Sequence, residues 1–347
     1  MEGTLLPSPS TASRTEASPL PPISRPSSEL AVLGAINWDT TLFVGDFAAP
    51  GEEIPVSRIE EGPGGKGANA AVAAARILGK GKVAFVGAVG DDELGSTLCD
   101  SLKVEGVSTE GVVRLRGQRS GTAHIVVDRS GSKAIHTHFG ANDRLKPAHL
   151  AMPGPSLVLS SSSTVVVMDV PTGTALEAAR IAKRAGVRLV YSPGVRCAEG
   201  YGALSKVLQL VDEAVFDRSE LLKLRPSRSP REALHSIMGE IPTLAMVATL
   251  GPSGCLVGKE GSVDAVTPVS LESLGLKAVN STGSGDAFLA AYVCYSNFGS
   301  GPKDAARWGN LAGALKATSD LTRGSPDRRV LESRMAELST LTGKRRG

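Results

Sequence analysis

The hydrophobic pattern divides the chain into short apolar runs that alternate with amphipathic or alanine-rich stretches. Leu30-Ala31-Val32-Leu33-Gly34-Ala35-Ile36-Asn37 and Val83-Ala84-Phe85-Val86-Gly87 are apolar almost throughout, as strands covered on both faces are. Between them Ala70 to Leu78 predicts a tightly packing helix, and Leu94 to Val104 predicts another. From about residue 164 the alternation is regular. Strands at 165–168, 187–190, 214–216 and 244–248 take turns with helices at 175–185, at 204–210 and from 219. Cys255-Leu256-Val257 and Ala265-Val266 read as a hairpin, and helices at 287–297 and 303–317 close the core. Strand and helix in turn predict an α/β fold with a mainly parallel central sheet flanked by helices on both faces.

Two stretches depart from that pattern. Residues 40–61 are more polar, with Pro50 and Pro55, and residues 112–128 alternate at Val113, Leu115, Ala123, Ile125 and Val127. Both predict exposed, paired strands of a small β lid. With no repeat and no long linker, residues 30–335 form one domain. Residues 1–29, rich in Ser, Pro and Thr, have too little apolar surface to offset their ordering entropy and predict a disordered tail. Residues 336–347, ending in Lys344-Arg345-Arg346-Gly347, predict a second flexible tail.

Composition removes several function classes. The net charge is +3, but the Lys and Arg residues are scattered, with no basic stripe interleaved with aromatics, so nucleic acid is not an expected partner. No apolar run is long enough to cross a bilayer, and no membrane partner is expected. Cys99, Cys197, Cys255 and Cys294 are widely separated, which argues against a zinc site or a disulfide framework and for a reducing, cytoplasmic setting. Ser and Arg in the tail leave organellar targeting open, against Glu2, Glu16 and Glu29.

The candidate chemistry lies in two glycine-rich turns. In Val279-Asn280-Ser281-Thr282-Gly283-Ser284-Gly285-Asp286-Ala287-Phe288, a small-residue turn delivers amides to a helix N-terminus, where unpaired N–H groups favour an anion. Asp286 either caps that helix or takes a proton from a hydroxyl attacking a phosphate held there. The second turn, Gly62-Pro63-Gly64-Gly65-Lys66-Gly67-Ala68-Asn69, spells G-x-G-x-x-G, but the preceding Pro55 to Glu61 is too polar for the buried strand of a dinucleotide site. A P-loop fails as well, because Gly67 stands where Ser or Thr would meet magnesium. Lys66 and Asn69, with Asn37 and Asp39, instead form a set suited to a polyol, since a carboxylate accepts from hydroxyl groups and glycines let backbone approach a ligand.

Gly64-Gly65-Lys66-Gly67-Ala68-Asn69-Ala70-Ala71-Val72-Ala73-Ala74-Ala75-Arg76 and Asn280-Ser281-Thr282-Gly283-Ser284-Gly285-Asp286 resemble the two signatures of the ribokinase, or PfkB, family of carbohydrate kinases. Gly34 to Asp39, Gly87 to Asp92 and Gly140-Ala141-Asn142 are similar to ribokinase in order and spacing, and the resemblance spans roughly residues 30–330. It implies a ribokinase-like three-layer sandwich and ATP-dependent phosphorylation of a sugar's primary hydroxyl, ribose to ribose 5-phosphate first among them. It implies Asp286 as general base, and Gly283, Ser284 and Gly285 as anion hole. Asn37, Asp39, Gly65, Lys66, Asn69 and Asp169 would hold the sugar. Asp217, Thr249, Gly251 and Asn310 would face the nucleotide. Mg2+ would travel with ATP, Glu220 meeting it through water, and a homodimer would form by crossing of the lids.

Three departures from the family pattern qualify this. Asp217-Arg218-Ser219-Glu220 stands for Asn-x-x-Glu, Asp169 stands for a glutamate, and Asn280 stands for an aspartate linked to activation by K+. They leave open the metal dependence, the sugar and the monovalent cation. A nucleoside kinase, with Trp38 and Phe43 as walls for a base, a sugar-phosphate kinase, and a sugar-binding regulator without catalysis are the competing readings.

Overall fold

The computed structural model describes residues 28–344. Its centre is a nine-stranded sheet in the order β13-β12-β11-β10-β9-β8-β1-β4-β5. The strands are β1 (Leu30–Leu33), β4 (Val83–Gly90), β5 (Val107–Leu115), β8 (Thr164–Met168), β9 (Arg188–Ser192), β10 (Glu213–Asp217), β11 (Ala245–Thr249), β12 (Cys255–Lys259) and β13 (Ser262–Val266). All pairings from β5 across to β11 are parallel, and the β11–β12 and β12–β13 pairings are antiparallel, so β12 alone runs against the sheet. The uninterrupted burial of β1, β4 and β8 follows from their all-apolar sequences, which only a sheet covered on both faces accommodates.

One covering layer holds the helices Lys66–Leu78, Ser284–Asn297 and Pro302–Lys316, and the other includes Thr172–Arg184, Tyr201–Leu208 and Pro230–Glu240. The Ser284–Asn297 helix is buried on every side from Asp286 to Tyr295, in keeping with its lack of a polar face. The Lys66–Leu78 helix butts against the end of β1. A Cβ on Gly67 would lie 2.6 Å from the Gly34 Cα, so bare backbone is needed on both sides of this approach.

A four-stranded sheet, β3-β2-β6-β7, forms the lid from β2 (Asn37–Val44), β3 (Val56–Gly64), β6 (Gly121–Val127) and β7 (Lys133–His138). Two expectations change here. Residues 112–115 belong to β5, paired in parallel with β4, not to the lid. Asn37, read as the last residue of the first apolar run, instead opens β2, the lid strand that leaves the main sheet and also carries Asp39. At the termini, residues 1–27 of the expected tail lie outside the described residues. Ser28 is already buried against Ser162, and Glu29 pairs with Lys82. At the other end the helix Arg328–Lys344 runs through most of the segment read as a tail.

Candidate active site

The chain passes from β1 to β4 on one side and returns to β8 on the other, so the crevice beyond the carboxyl ends of β1 and β8 is a topological switch point, where open α/β sheets bind ligands. Asn37 follows β1, Asp169 follows β8, Asp217 ends β10 and Thr249 ends β11. They surround a cleft of about 480 Å³ that the lid roofs with Ile125, Lys133 and Ile135. Asn37, Asp39, Gly65, Lys66, Asn69, Asp169, Asp217, Glu220, Thr249, Gly283, Gly285 and Asp286 all line it.

The two glycine turns meet at its floor. The Asn69 amide donates to Asp286 Oδ2 at 3.0 Å. Neither residue caps its helix: Asn69 lies one turn inside the Lys66 helix, and Gly283, at φ +82°, occupies the N-cap before Asp286. The N–H groups of Gly283, Gly285 and Asp286 find no acceptor among the described residues, whereas that of Ser284 is committed to the Ser281 carbonyl at 3.2 Å. Ser284 does not line the cleft, and its Oγ is buried without a partner. The amides available to an anion are therefore those of Gly283, Gly285 and Asp286.

Burial pushes the Asp286 carboxyl up to about 6, with Asp169 and Glu220 adding to the rise and Asn69 and Lys66 opposing it. Asp39 rises to about 7, again through burial, moderated by the Arg323 guanidinium. Gly64 lets Asp39 sit where it does, because a Cβ there would lie 2.0 Å from Oδ2. Lys66 Nζ donates to Glu220 Oε1 at 3.1 Å. Burial alone would lower its pKa, but Asp169, Glu220 and Asp286 together hold the ammonium above its ordinary value. Asp169 adopts φ +56° and accepts from the Val195 N–H at 3.1 Å. Asn37 Oδ1 accepts from Asn142 Nδ2 at 2.9 Å, and Asn142 is itself fixed to the Ile36 backbone.

On the expected donor side, Asp217 and Glu220 cap each other's backbone. Asp217 Oδ1 accepts from the Glu220 N–H at 2.7 Å, and Glu220 Oε2 accepts from the Asp217 N–H at 2.9 Å. Besides Ser284, three further predicted residues stay out of the cleft. Gly251 sits in the turn after Thr249, Asn310 donates to the Thr267 carbonyl at 3.0 Å, and Asn280 lies behind the Gly283 loop. Asn280 Nδ2 donates to the Asp320 carbonyl and its Oδ1 accepts from the Thr282 N–H.

Three residues absent from the sequence reading complete the site. Arg323 is buried and donates to Asn69 Oδ1 (3.2 Å), Ser101 Oγ (3.0 Å) and the Gly64 carbonyl (3.2 Å), tying the Gly62–Asn69 turn to the end of the domain. Lys133, on the lid, donates to Ser281 Oγ and Thr282 Oγ1 at 3.3 and 3.1 Å. Lys316 is buried beneath the Gly283 loop. No motif surrounds any of them, and spacing gives no hint of their partners.

Comparison with known proteins decides the family. Residues 27–328 match the model described as pfkB family carbohydrate kinase. The chain belongs to the pfkB family of carbohydrate kinases. Among this kinase's relatives is the ribokinase of Haemophilus influenzae, 28% identical over 294 residues, which span 83% of this chain and 92% of that protein. The structure of ribokinase from Giardia lamblia aligns with a TM-score of 0.78 at 22% identity, covering 90% of the kinase and 99% of that chain. That of Arabidopsis thaliana ribokinase, complexed with ribose and ATP, aligns with a TM-score of 0.74 at 21% identity over 88% and 98%. The kinase has the ribokinase-like fold, a large and mostly parallel sheet between helices with a smaller lid sheet.

Proposed function

We propose that this kinase transfers the γ-phosphoryl group of ATP to the primary hydroxyl of a sugar, with ribose as acceptor and ribose 5-phosphate as product. The observation that carries the reading is the pairing of Asp286 with the free amides of Gly283 and Gly285 on the floor of a cleft lined by Asn37, Asp39, Lys66 and Asn69. Asp39 and Asn37 accept from sugar hydroxyls, and Asn69 and Lys66 donate to them. Asp286, poised near neutrality, takes the hydroxyl proton as the alcohol oxygen bonds to the γ-phosphorus. The bond from that phosphorus to the β-γ bridging oxygen breaks and ADP leaves. The free amides and Lys66 stabilise the charge on the transferring group, which is where phosphoryl transfer gains most.

Asp217 and Glu220 would hold Mg2+ through water. The donor set fits such an arrangement: both carboxylates line the cleft, and with Asp217 Oδ1 and Glu220 Oε2 committed to backbone and Glu220 Oε1 to Lys66, contact through water rather than direct ligation is what they can offer. Mg2+ bound with the nucleotide supplies charge neutralisation on the phosphates.

Trp38 packs against the core and Phe43 lies under the Arg58 guanidinium, so neither walls the cleft for a nucleobase, which favours a sugar over a nucleoside. The described helices include none long and apolar enough to cross a membrane, and a cytoplasmic setting accords with four free, buried cysteines. A homodimer through the lid sheet accords with the exposure of Val56 and Ile59 on its edge strand β3, and light scattering tests it.

The deciding experiment offers ribose, fructose, nucleosides and sugar phosphates with Mg2+ and either ATP or ADP, and reads the nucleotide product. Turnover with ribose and ATP is expected. Turnover of none of them, with Asp286→Asn indistinguishable from wild type, would leave a sugar-binding protein without catalysis.

A further inference from the structure

The resemblance links the Asn280 position to activation by a monovalent cation, and the groups around Asn280 do not fit one. Its side-chain oxygen is engaged by the Thr282 N–H at 2.9 Å, and its side-chain nitrogen donates to the Asp320 carbonyl at 2.8 Å. Its own carbonyl, the remaining oxygen a cation could use, accepts from Lys316 Nζ at 2.9 Å. The same ammonium donates to the Ser319 carbonyl at 3.3 Å.

Lys316 is the last residue of the Pro302–Lys316 helix and its side chain is 0% exposed. No carboxylate lies within ion-pairing distance of it among the described residues. Burying an ammonium with only neutral partners is costly, and an apolar side chain of similar length would fill the space at less cost. The charge is therefore retained for what it does to the loop. Backbone carbonyls are the groups by which proteins replace water around K+, and here two of them, those of Asn280 and Ser319, face the covalently attached –NH3+ instead. Its stem passes beneath the anion-binding turn: a Cβ on Gly283 would lie 3.6 Å from Lys316 Cε. Val279 and Asn280 donate to the carbonyl of the next residue, Ala317, at 2.7 and 3.0 Å, so helix end and loop form one unit.

We propose that Lys316 is a built-in monovalent cation, which fixes the Asn280–Gly283 loop from its carbonyl side and makes this kinase independent of K+. Lys316 acts as a positioning residue, since it reaches the transferred group only through the loop. With the Asn280 carbonyl drawn toward the ammonium, the turn is held with the Gly283 and Gly285 amides toward the cleft, and a positive charge lies behind them below about pH 8, to which burial and Lys133 lower the Lys316 pKa against Asp286 and Asp320. An aspartate at position 280 would add a negative charge to a cradle whose cation cannot leave; the neutral Asn280 matches it.

The proposal rests on the kinase reading of the cleft, and its test has a readout that needs no turnover. Wild type and the variants Lys316→Ala and Lys316→Met are compared in KCl and in tetramethylammonium chloride at equal ionic strength. Thermal unfolding and ribose phosphorylation with ATP and Mg2+ are both measured. Wild type is expected to show the same melting temperature and rate in the two salts. Lys316→Ala, which opens the cradle, is expected to melt higher in KCl than in tetramethylammonium. It should lose roughly a hundredfold in kcat with little change in KM for the sugar, as for a lost contribution to an anion hole, and K+ should restore part of that loss. Lys316→Met, which fills the space without charge, should lose as much and gain nothing from K+. A wild-type melting temperature or rate that rises with K+ overturns the proposal, as does an Ala variant with wild-type kcat. Should ribose not turn over, the unfolding comparison decides the cation question alone. Should neither variant fold, the wild-type comparison decides it.

Discussion

Replacing Asp286 by asparagine separates what the residue does for the reaction from what it costs the fold. Its carboxyl is buried and its pKa rises from the ordinary 3.8 to about 6. At pH 8 the group is ionised in both folded and unfolded chains, so the shift measures a penalty on the folded state. Two pKa units correspond to about 3 kcal/mol. The sign follows from proton binding: the folded state holds this proton more tightly, so stability rises as pH falls through 6 and the gain is complete below about 4. Asparagine is nearly isosteric, carries no charge and keeps an oxygen for Asn69 Nδ2, so the variant escapes the penalty. Asp286→Asn should therefore be more stable than wild type at pH 8 by up to about 3 kcal/mol, the advantage shrinking toward zero at pH 4. Urea denaturation at pH 8, 6 and 4 reads this directly, the slope with urea staying constant. Phosphoryl transfer should fall by about a hundredfold or more at the same time. A variant that is less stable than wild type at pH 8, or stabilised equally at every pH, refutes the argument that burial sets this carboxylate's proton affinity.

Other outcomes follow from the same geometry. Gly64→Ala drives a methyl into the Asp39 carboxylate, and the KM for the sugar should rise about tenfold to a hundredfold, the equivalent of losing one hydrogen bond to a charged group, while unfolding measurements confirm that the variant is folded. In wild type, kcat/KM should fall as pH drops through 7 and 6, more steeply than one proton allows, because Asp39 and Asp286 both lose their charge there. Asp39→Asn should reduce that limb to a single-proton slope in a pH–rate profile. Arg323→Met removes the cation that holds Asp39 down, so the acid limb should move to higher pH with the sugar's KM rising across the neutral range.

Much of this arrangement was legible in the chain because it is local. The all-apolar runs of β1, β4 and β8 are short and rich in β-branched residues, as strands covered on both faces are, and Gly64 to Asn69 and Gly283 to Asp286 each carry their own turn and helix start within a few residues. Where local pattern failed, the physics is specific. β5 alternates like a lid strand because it is the edge of the central sheet, where one face of the strand is less covered. Asp39 was legible as a polyol-binding carboxylate, yet its place in β2 depends on Gly64 of the partner strand, directly across the ladder from Asn37. Arg323 lies 254 positions from Asn69 and Lys316 lies 36 from Asn280, and such distances leave no periodic trace. Asn310 and Gly251 sit where the spacing puts them, on the right helix and the right turn, but off the cleft's wall.

The Asn69–Arg323 contact also bears on when the site comes into being during synthesis. The first glycine turn and most of the polyol set emerge from the ribosome long before the arginine that anchors them, and the contact spans 254 positions. Until that arginine arrives, Asp39 has no counter-ion and Asn69 has one of its two anchors missing. A nascent chain thus carries the letters of the first signature before the arginine that completes its acceptor pocket.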